Sequence, residues 1–235
     1  MPLRRERPDL AREVLRPPRS IRALGPRESA ALVRLTREAM VVRSRDLDAF
    51  MAADVRDVRW IDAGEGLAFA CLGVAPRDRL LLESVYGFLT LKNGVPIGYV
   101  LASALFGSCQ VAYNVFEAWR GGEAAWVYAR VLAMLRALFG CDSFTVDPYQ
   151  LGHQNEEGLG SGAWWFYQKL GFRPDDRATL ARMRGELARI RRNPRFRSSR
   201  ATLEKLVAEP VFWSLGPRRA DVIGRFPLHA AGAAI

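Results

Sequence analysis

Two runs of β-forming residues meet at an Asn-Gly pair: Tyr86-Gly-Phe-Leu-Thr-Leu-Lys92, then Asn93-Gly94, then Val95-Pro-Ile-Gly-Tyr-Val-Leu-Ala-Ser-Ala104. Asn-Gly accepts positive φ at both central positions of a two-residue turn, so the flanking runs must fold back as antiparallel neighbours. No charge occurs from Val95 to Phe116, and a stretch of about 20 uncharged residues would also suit a membrane helix. Pro96, Gly98, Ser103, Gly107, Ser108, Gln110 and Asn114 interrupt it, and the break at Gly107-Ser108 separates two strand-length pieces. Two buried strands are therefore expected, and no membrane span.

Other elements are read outward from this hairpin. Residues 1–25, with Pro8, Pro17 and Pro18, read as a mobile basic arm with one short helix. Leu32, Leu35 and Ala39 repeat at helical spacing after Pro26, and a second short helix is expected from Leu47 to Ala53. Strands are expected at Val58–Ile61, Leu67–Cys71 and Gln110–Phe116. Ala124–Phe139 has helical composition and ends at Gly140. Cys141–Asp147 reads as a strand closed by Pro148, and Gly162–Leu170 as a short helix stopped by Gly171. This order predicts an α/β (α+β) fold: a mixed, mostly antiparallel central sheet flanked by helices, with a βαβ unit at its centre. Leu180, Met183, Leu187 and Ile190 then place an apolar stripe on an arginine-rich helix that Pro194 stops, and a further helix is expected over Arg200–Ala208.

Charge and cysteine usage narrow the function classes. The net charge of +10 is uneven: residues 1–60 carry +5, residues 61–172 carry −3, and residues 173–235 carry +8. A basic tail suits anionic partners, yet no zinc finger, aromatic RNA-binding signature or helix-turn-helix accompanies it, so nucleic acid is possible but not favoured. Cys71, Cys109 and Cys141 are odd in number and widely spaced, which argues against a disulfide framework and fits a reducing, cytoplasmic compartment. With only His153 and His229 besides, no metal centre is expected. The N-terminus, with Glu6, Asp9 and Glu13 among its arginines, reads as neither a secretory signal nor a transit peptide.

The segment Val115-Phe-Glu-Ala-Trp-Arg120-Gly-Gly-Glu-Ala-Ala125 carries the chemistry. A glycine-rich turn that opens a helix leaves backbone N–H groups pointing one way with the positive end of the helix dipole behind them, an arrangement suited to phosphate. Arg120 at its lip adds a forked donor.

From Tyr86 to Pro174 the chain resembles the GNAT-type N-acyltransferases. The hairpin comes first, then Arg120-Gly121-Gly122-Glu123-Ala124-Ala125 where that family has Arg/Gln-x-x-Gly-x-Gly/Ala, then Ala163-Trp-Trp-Phe-Tyr167-Gln-Lys-Leu-Gly171-Phe172 against its alanine, tyrosine and Leu-Gly-Phe segment. The resemblance implies acetyl-CoA or another acyl-CoA as cosubstrate, lying between the strand ending at Val115 and the strand ending near Asp147. Pantetheine would pair with the backbone around Val115 and Phe116, and pyrophosphate would sit over Gly121, Gly122, Glu123, Ala124 and Ala125. An amine would attack the thioester directly. Tyr167 is then the acid for the departing thiolate, while Glu117 and Asp147, near the ends of the two strands, are the base candidates, with Glu83 and His153 as weaker ones.

Two departures accompany the resemblance. Glu123 replaces the middle glycine of the phosphate turn, where it either points inward against the pyrophosphate or faces solvent at the helix start. The loop from Asn155 to Gly162 is longer than the family spacing, so Asn155 is a doubtful equivalent of the cofactor-contacting asparagine. The implied organisation is the arm (1–25), a GNAT-like acyl-CoA-binding core (26–174), an arginine-rich helical insertion (175–209), and a final strand displaced to Val211–Ser214 with a tail (210–235). The expected activity is N-acyl transfer, with acetyl transfer to an amine of a small molecule or peptide foremost. The alternative is a non-catalytic acyl-CoA-binding or regulatory module.

Overall fold

The structure is a computed structural model and describes residues 7–42, 48–79, 84–121 and 123–226. Leu47, Glu83, Gly122 and His229 lie outside the described residues. The chain is a mixed α/β protein that divides into two compact units, residues 1–141 and 142–235. Strand neighbours within each unit run antiparallel, and helices flank the strands. The division falls inside the stretch expected as one core, 26–174.

The first unit is built on β1 (Ser20–Ala23), β2 (Ala53–Gly64), β3 (Leu67–Val74), β4 (Ser84–Lys92), β5 (Val95–Leu105) and β6 (Ser108–Val115), each paired with the next in sequence. The Asn93-Gly94 turn adopts φ of 50° and 80°, and Phe106-Gly107 repeats the device at 48° and 68° before β6. The uncharged run is thus two strands, as its turn residues require. Among the described residues no helix is long and apolar enough to cross a membrane.

Every residue of β3 is buried, because both faces of the sheet are covered. Ala70 and Leu72 pack with Val33 and Met40 of α2 (Pro26–Val41) and Phe50 of α3 (Asp48–Met51). Tyr86 of β4 turns to the opposite face, where its ring lies 5.0 Å from that of Phe139. Phe139 closes α4 (Ala124–Phe139), a 16-residue helix ended by Gly140 in the left-handed conformation at φ 68°. Ten consecutive residues of α4, Trp126 to Leu135, are buried. A helix apolar on all sides must be covered on all sides, and β2, β6 and α1 (Leu10–Val14) supply the cover.

Part of the stretch expected as a mobile arm takes part in this covering, since α1 and β1 lie within residues 10–23. Arg130, the one charge in the buried run of α4 and itself 4% exposed, donates to the carbonyls of Glu13 at 3.2 Å, Arg16 at 2.8 Å and Pro17 at 3.1 Å. The Glu13 carboxylate stands 3.8 Å away. Burial lowers the pKa of this guanidinium, and Glu13 opposes that shift. Residues 10–23 are pinned accordingly, and β1 extends the sheet through Ser20↔Asp62 to Ala23↔Arg59.

The second unit holds β7 (Ser143–Val146), β8 (Arg173–Pro174) and β9 (Val211–Ser214), with β9 between the other two. A strand is present at Val211–Ser214. The segment between β8 and β9 forms α8 (Arg177–Arg192) and α9 (Arg200–Leu206), with Met183 of the apolar stripe buried. The stretch read as loop after Asp147 instead contains α5 (Pro148–Leu151) and α6 (Glu156–Ser161), ahead of α7 (Ala163–Lys169). Side-chain caps at Asp147 and Asn155 supply what the glycine-rich sequence lacks in helix propensity.

Replacing Arg130 by Met would leave the carbonyls of Glu13, Arg16 and Pro17 and the Glu13 carboxylate without their partner. The variant is expected to lose about 3 kcal/mol of stability. Urea denaturation measures this, and limited proteolysis should show earlier cleavage within residues 7–25; an unchanged midpoint would refute the role.

Candidate functional site

The turn that opens α4 is fastened at both ends. Upstream, the Phe116 N–H donates to Ile97 O at 2.9 Å, and the Phe116 ring packs 6.3 Å from Tyr99. A single 3-10 turn, Glu117–Trp119, follows and leads to Arg120. Downstream, the Tyr113 hydroxyl of β6 reaches the Ala124 carbonyl at 3.5 Å, and its ring lies 5.2 Å from that of Tyr128. Between these anchors Gly121 takes φ 129°, a conformation that favours glycine, and its carbonyl accepts from the Ala124 N–H at 3.0 Å. The Arg120 Nε folds back to the Val115 carbonyl at 3.4 Å. Glu117, Trp119, Arg120 and Gly121 are exposed, whereas Ala124 and Ala125 are half-buried.

Glu123 lies at the start of α4. It stands at the N-cap position but its side chain makes no capping hydrogen bond. Its carboxylate instead pairs with Lys92 Nζ of β4 at 3.2 Å, with both side chains about one-fifth exposed at 17% and 21%. Lys92 Nζ also lies 4.9 Å over the Trp126 ring. The negative charge at the helix start is thus met by a lysine on the neighbouring hairpin. Sequence reasoning did not pair Lys92 with Glu123, although one clue was present: Lys92 is one of only three lysines among 35 basic residues and sits beside the hairpin turn.

Of the predicted site residues, Val115, Phe116, Glu117, Arg120, Gly121, Glu123, Ala124 and Ala125 share this one turn. The others belong to the second unit. Asp147 caps α5, its Oδ1 accepting from the Tyr149 N–H at 2.9 Å. Asn155 caps α6 by accepting from Gly158 N–H at 3.1 Å, and its Nδ2 donates to the Tyr149 carbonyl at 3.0 Å. Both side chains are therefore committed to holding short helices in place. Tyr167 on α7 is buried, with its ring edge-on to Phe166 at 5.1 Å and to Phe172 at 5.8 Å. Burial raises its pKa well above that of an ordinary tyrosine, so it holds its proton throughout the neutral range.

Two thiols, Cys71 and Cys109, are likewise set against ionisation. Burial pushes Cys71 up to about 12, and Cys109, fully buried beside Cys141, is raised by the same desolvation and by its hydrogen bond to Cys141. Thiols held in the neutral form are poor nucleophiles. Among the described residues no three His, Cys, Asp or Glu side chains gather as a metal-binding group. No family model, curated protein or solved structure matches this chain.

Cys71, Cys109 and Tyr167 all have folded pKa values above their unfolded ones. Their contribution to stability is complete below the unfolded thiol pKa of about 8.5 and diminishes as pH rises past it, with the phenol adding to the loss above about 10. Urea denaturation should therefore show a lower free energy of unfolding at pH 10 than at pH 7.5, and Cys71→Ala should flatten the dependence. Equal stability at the two pH values would contradict the burial argument.

Proposed function

We propose that this chain is an acyl-CoA-dependent N-acyltransferase of the GNAT type, transferring an acetyl or other acyl group to an amine. The observation that carries the reading is the turn before α4. An exposed arginine and a glycine with positive φ stand at the N-terminus of a 16-residue helix, and the Glu123 carboxylate at the helix start is already paired with Lys92. A helix N-terminus with its dipole and a guanidinium suit a pyrophosphate. The sequence from Ala163 to Phe172 and the preceding hairpin add the resemblance.

In the proposed reaction the neutral amine nitrogen forms a bond to the thioester carbon, the tetrahedral oxyanion collapses, and the C–S bond breaks. The amine loses a proton and the departing thiolate gains one. Tyr167 is assigned to that thiolate as hydrogen-bond and proton donor. Glu117, exposed, and Asp147, whose Oδ1 caps α5, are the assigned base candidates.

A second reading, acyl-CoA binding without turnover, is favoured by one specific observation. Asp147, one of the two base candidates, has its Oδ1 committed to capping α5.

Calorimetry with CoA and acetyl-CoA tests both readings. Binding is expected, with Arg120→Ala weakening it about tenfold and Glu123→Gln strengthening it by removing charge beside the phosphates. No heat with millimolar ligand would overturn both. If CoA binds, release of free thiol over a panel of amines separates them: turnover that Tyr167→Phe slows more than it weakens binding supports the enzyme, and no release supports the binding module.

A further inference from the structure

The outer face of α8 is built from arginine and small residues alone. Apart from Ala178, Ala181 and Gly185, every exposed position of this helix is an arginine. Residues 177–200 hold nine arginines, no lysine and one acid, Glu186. That acid is turned inward, 3% exposed and paired with Arg189 at 3.0 Å, so the outer face carries no negative charge. Arg177, Arg184 and Arg191 repeat every seven residues, close to two helical turns, and form one line about 21 Å long.

Three exposed arginines of the first unit stand differently. Arg22 pairs with Glu28 at 2.9 Å, Arg34 with Glu38 at 3.9 Å and Arg56 with Asp54 at 2.9 Å. Interleaved charges of opposite sign cancel beyond a short range, whereas charges of one sign add. Arg177, Arg184, Arg191 and Arg192 have no ion pair among the described residues, so the field of this face is left uncompensated.

The chemistry of the face selects among polyanions. Its apolar stripe is committed to the interior, with Met183 buried and Leu180, Leu187 and Ile190 half-buried, so nothing apolar is presented to a lipid bilayer. No aromatic residue occurs on α8, which leaves no platform for the unstacked bases of a single strand. Duplex DNA carries one negative charge per about 1.7 Å of its axis, and the forked guanidinium matches its phosphate oxygens. An α-helix also enters its major groove, about 12 Å wide, and Ala178, Ala181 and Gly185 keep the α8 backbone free of bulk on that side. We propose that the outer face of α8 binds duplex DNA through its phosphates, with the line of Arg177, Arg184 and Arg191 along the backbone. This surface lies in the second unit and does not depend on the acyl-CoA reading.

Fluorescence anisotropy of the full chain with a labelled, mixed-sequence DNA duplex tests the proposal. Binding is expected at low salt, with the logarithm of affinity falling linearly as the logarithm of salt concentration rises. The triple substitution Arg177→Ala/Arg184→Ala/Arg191→Ala should weaken it about tenfold or more and reduce the slope by about 3, because each lost phosphate contact removes about 0.9. Alanine is the better helix former, so the unfolding midpoint of this variant should not fall. The control Arg22→Ala/Arg34→Ala/Arg56→Ala loses the same charge from the first unit and should bind as the parent chain does. The proposal is overturned if the duplex does not bind at low salt, or if the two triple variants lose affinity equally. Tighter binding to single-stranded DNA, polyglutamate or phosphatidylserine vesicles than to the duplex would overturn it as well.

Discussion

A single buried helix dictates the arrangement of the first unit. With ten consecutive buried residues, Trp126 to Leu135, α4 can exist in water only if other elements wrap it. The sheet and α1 do so, and the one charge in the run, Arg130, draws in the chain from Glu13 to Pro17 because main-chain carbonyls are the acceptors that satisfy it. The same burial fixes where α4 begins. Tyr113 and Lys92 hold its first turn against β6 and β4, and the Arg120–Ala125 turn inherits its position from them.

Arginine use across the chain follows one pattern. Arg37 donates to the Phe50 and Met51 carbonyls at the end of α3, Arg79 to Val74, and Arg173 to Gln168 and Phe172. In each case a forked, permanently charged donor closes off carbonyls that a helix end or strand end leaves exposed. Part of the +10 net charge is therefore employed in chain termination and packing. Counted over the sequence alone, the basic tail read as suited to anionic partners, with nucleic acid possible but not favoured.

Turn chemistry and periodicity made much of the fold legible. Asn93-Gly94 announced the β4–β5 hairpin, Gly140 marked the end of α4, and Leu180, Met183, Leu187 and Ile190 announced α8. Each is a local signal with a local cause. What could not be read depended on partners remote in sequence. Strand β1 has all four residues exposed and no alternation, and it is a strand because β2 offers it an edge. The acceptors of Arg130 lie more than 110 residues away. The position of Glu123 depends on Lys92, across the β5–β6 chain, and the helices α5 and α6 depend on the caps at Asp147 and Asn155. The turn's composition was thus visible in advance, while the charge balance that decides whether an anion is welcome was not.

The central claim is that the amides opening α4 receive the phosphates of an acyl-CoA. Backbone amide chemical shifts recorded during a titration with CoA test it at residue resolution. The account predicts large, saturating shifts at Gly121, Ala124 and Ala125, with the resonances of α8 and α9 unaffected at the same ligand concentration. Saturating shifts confined to other parts of the chain, with Gly121 to Ala125 unmoved, would contradict it.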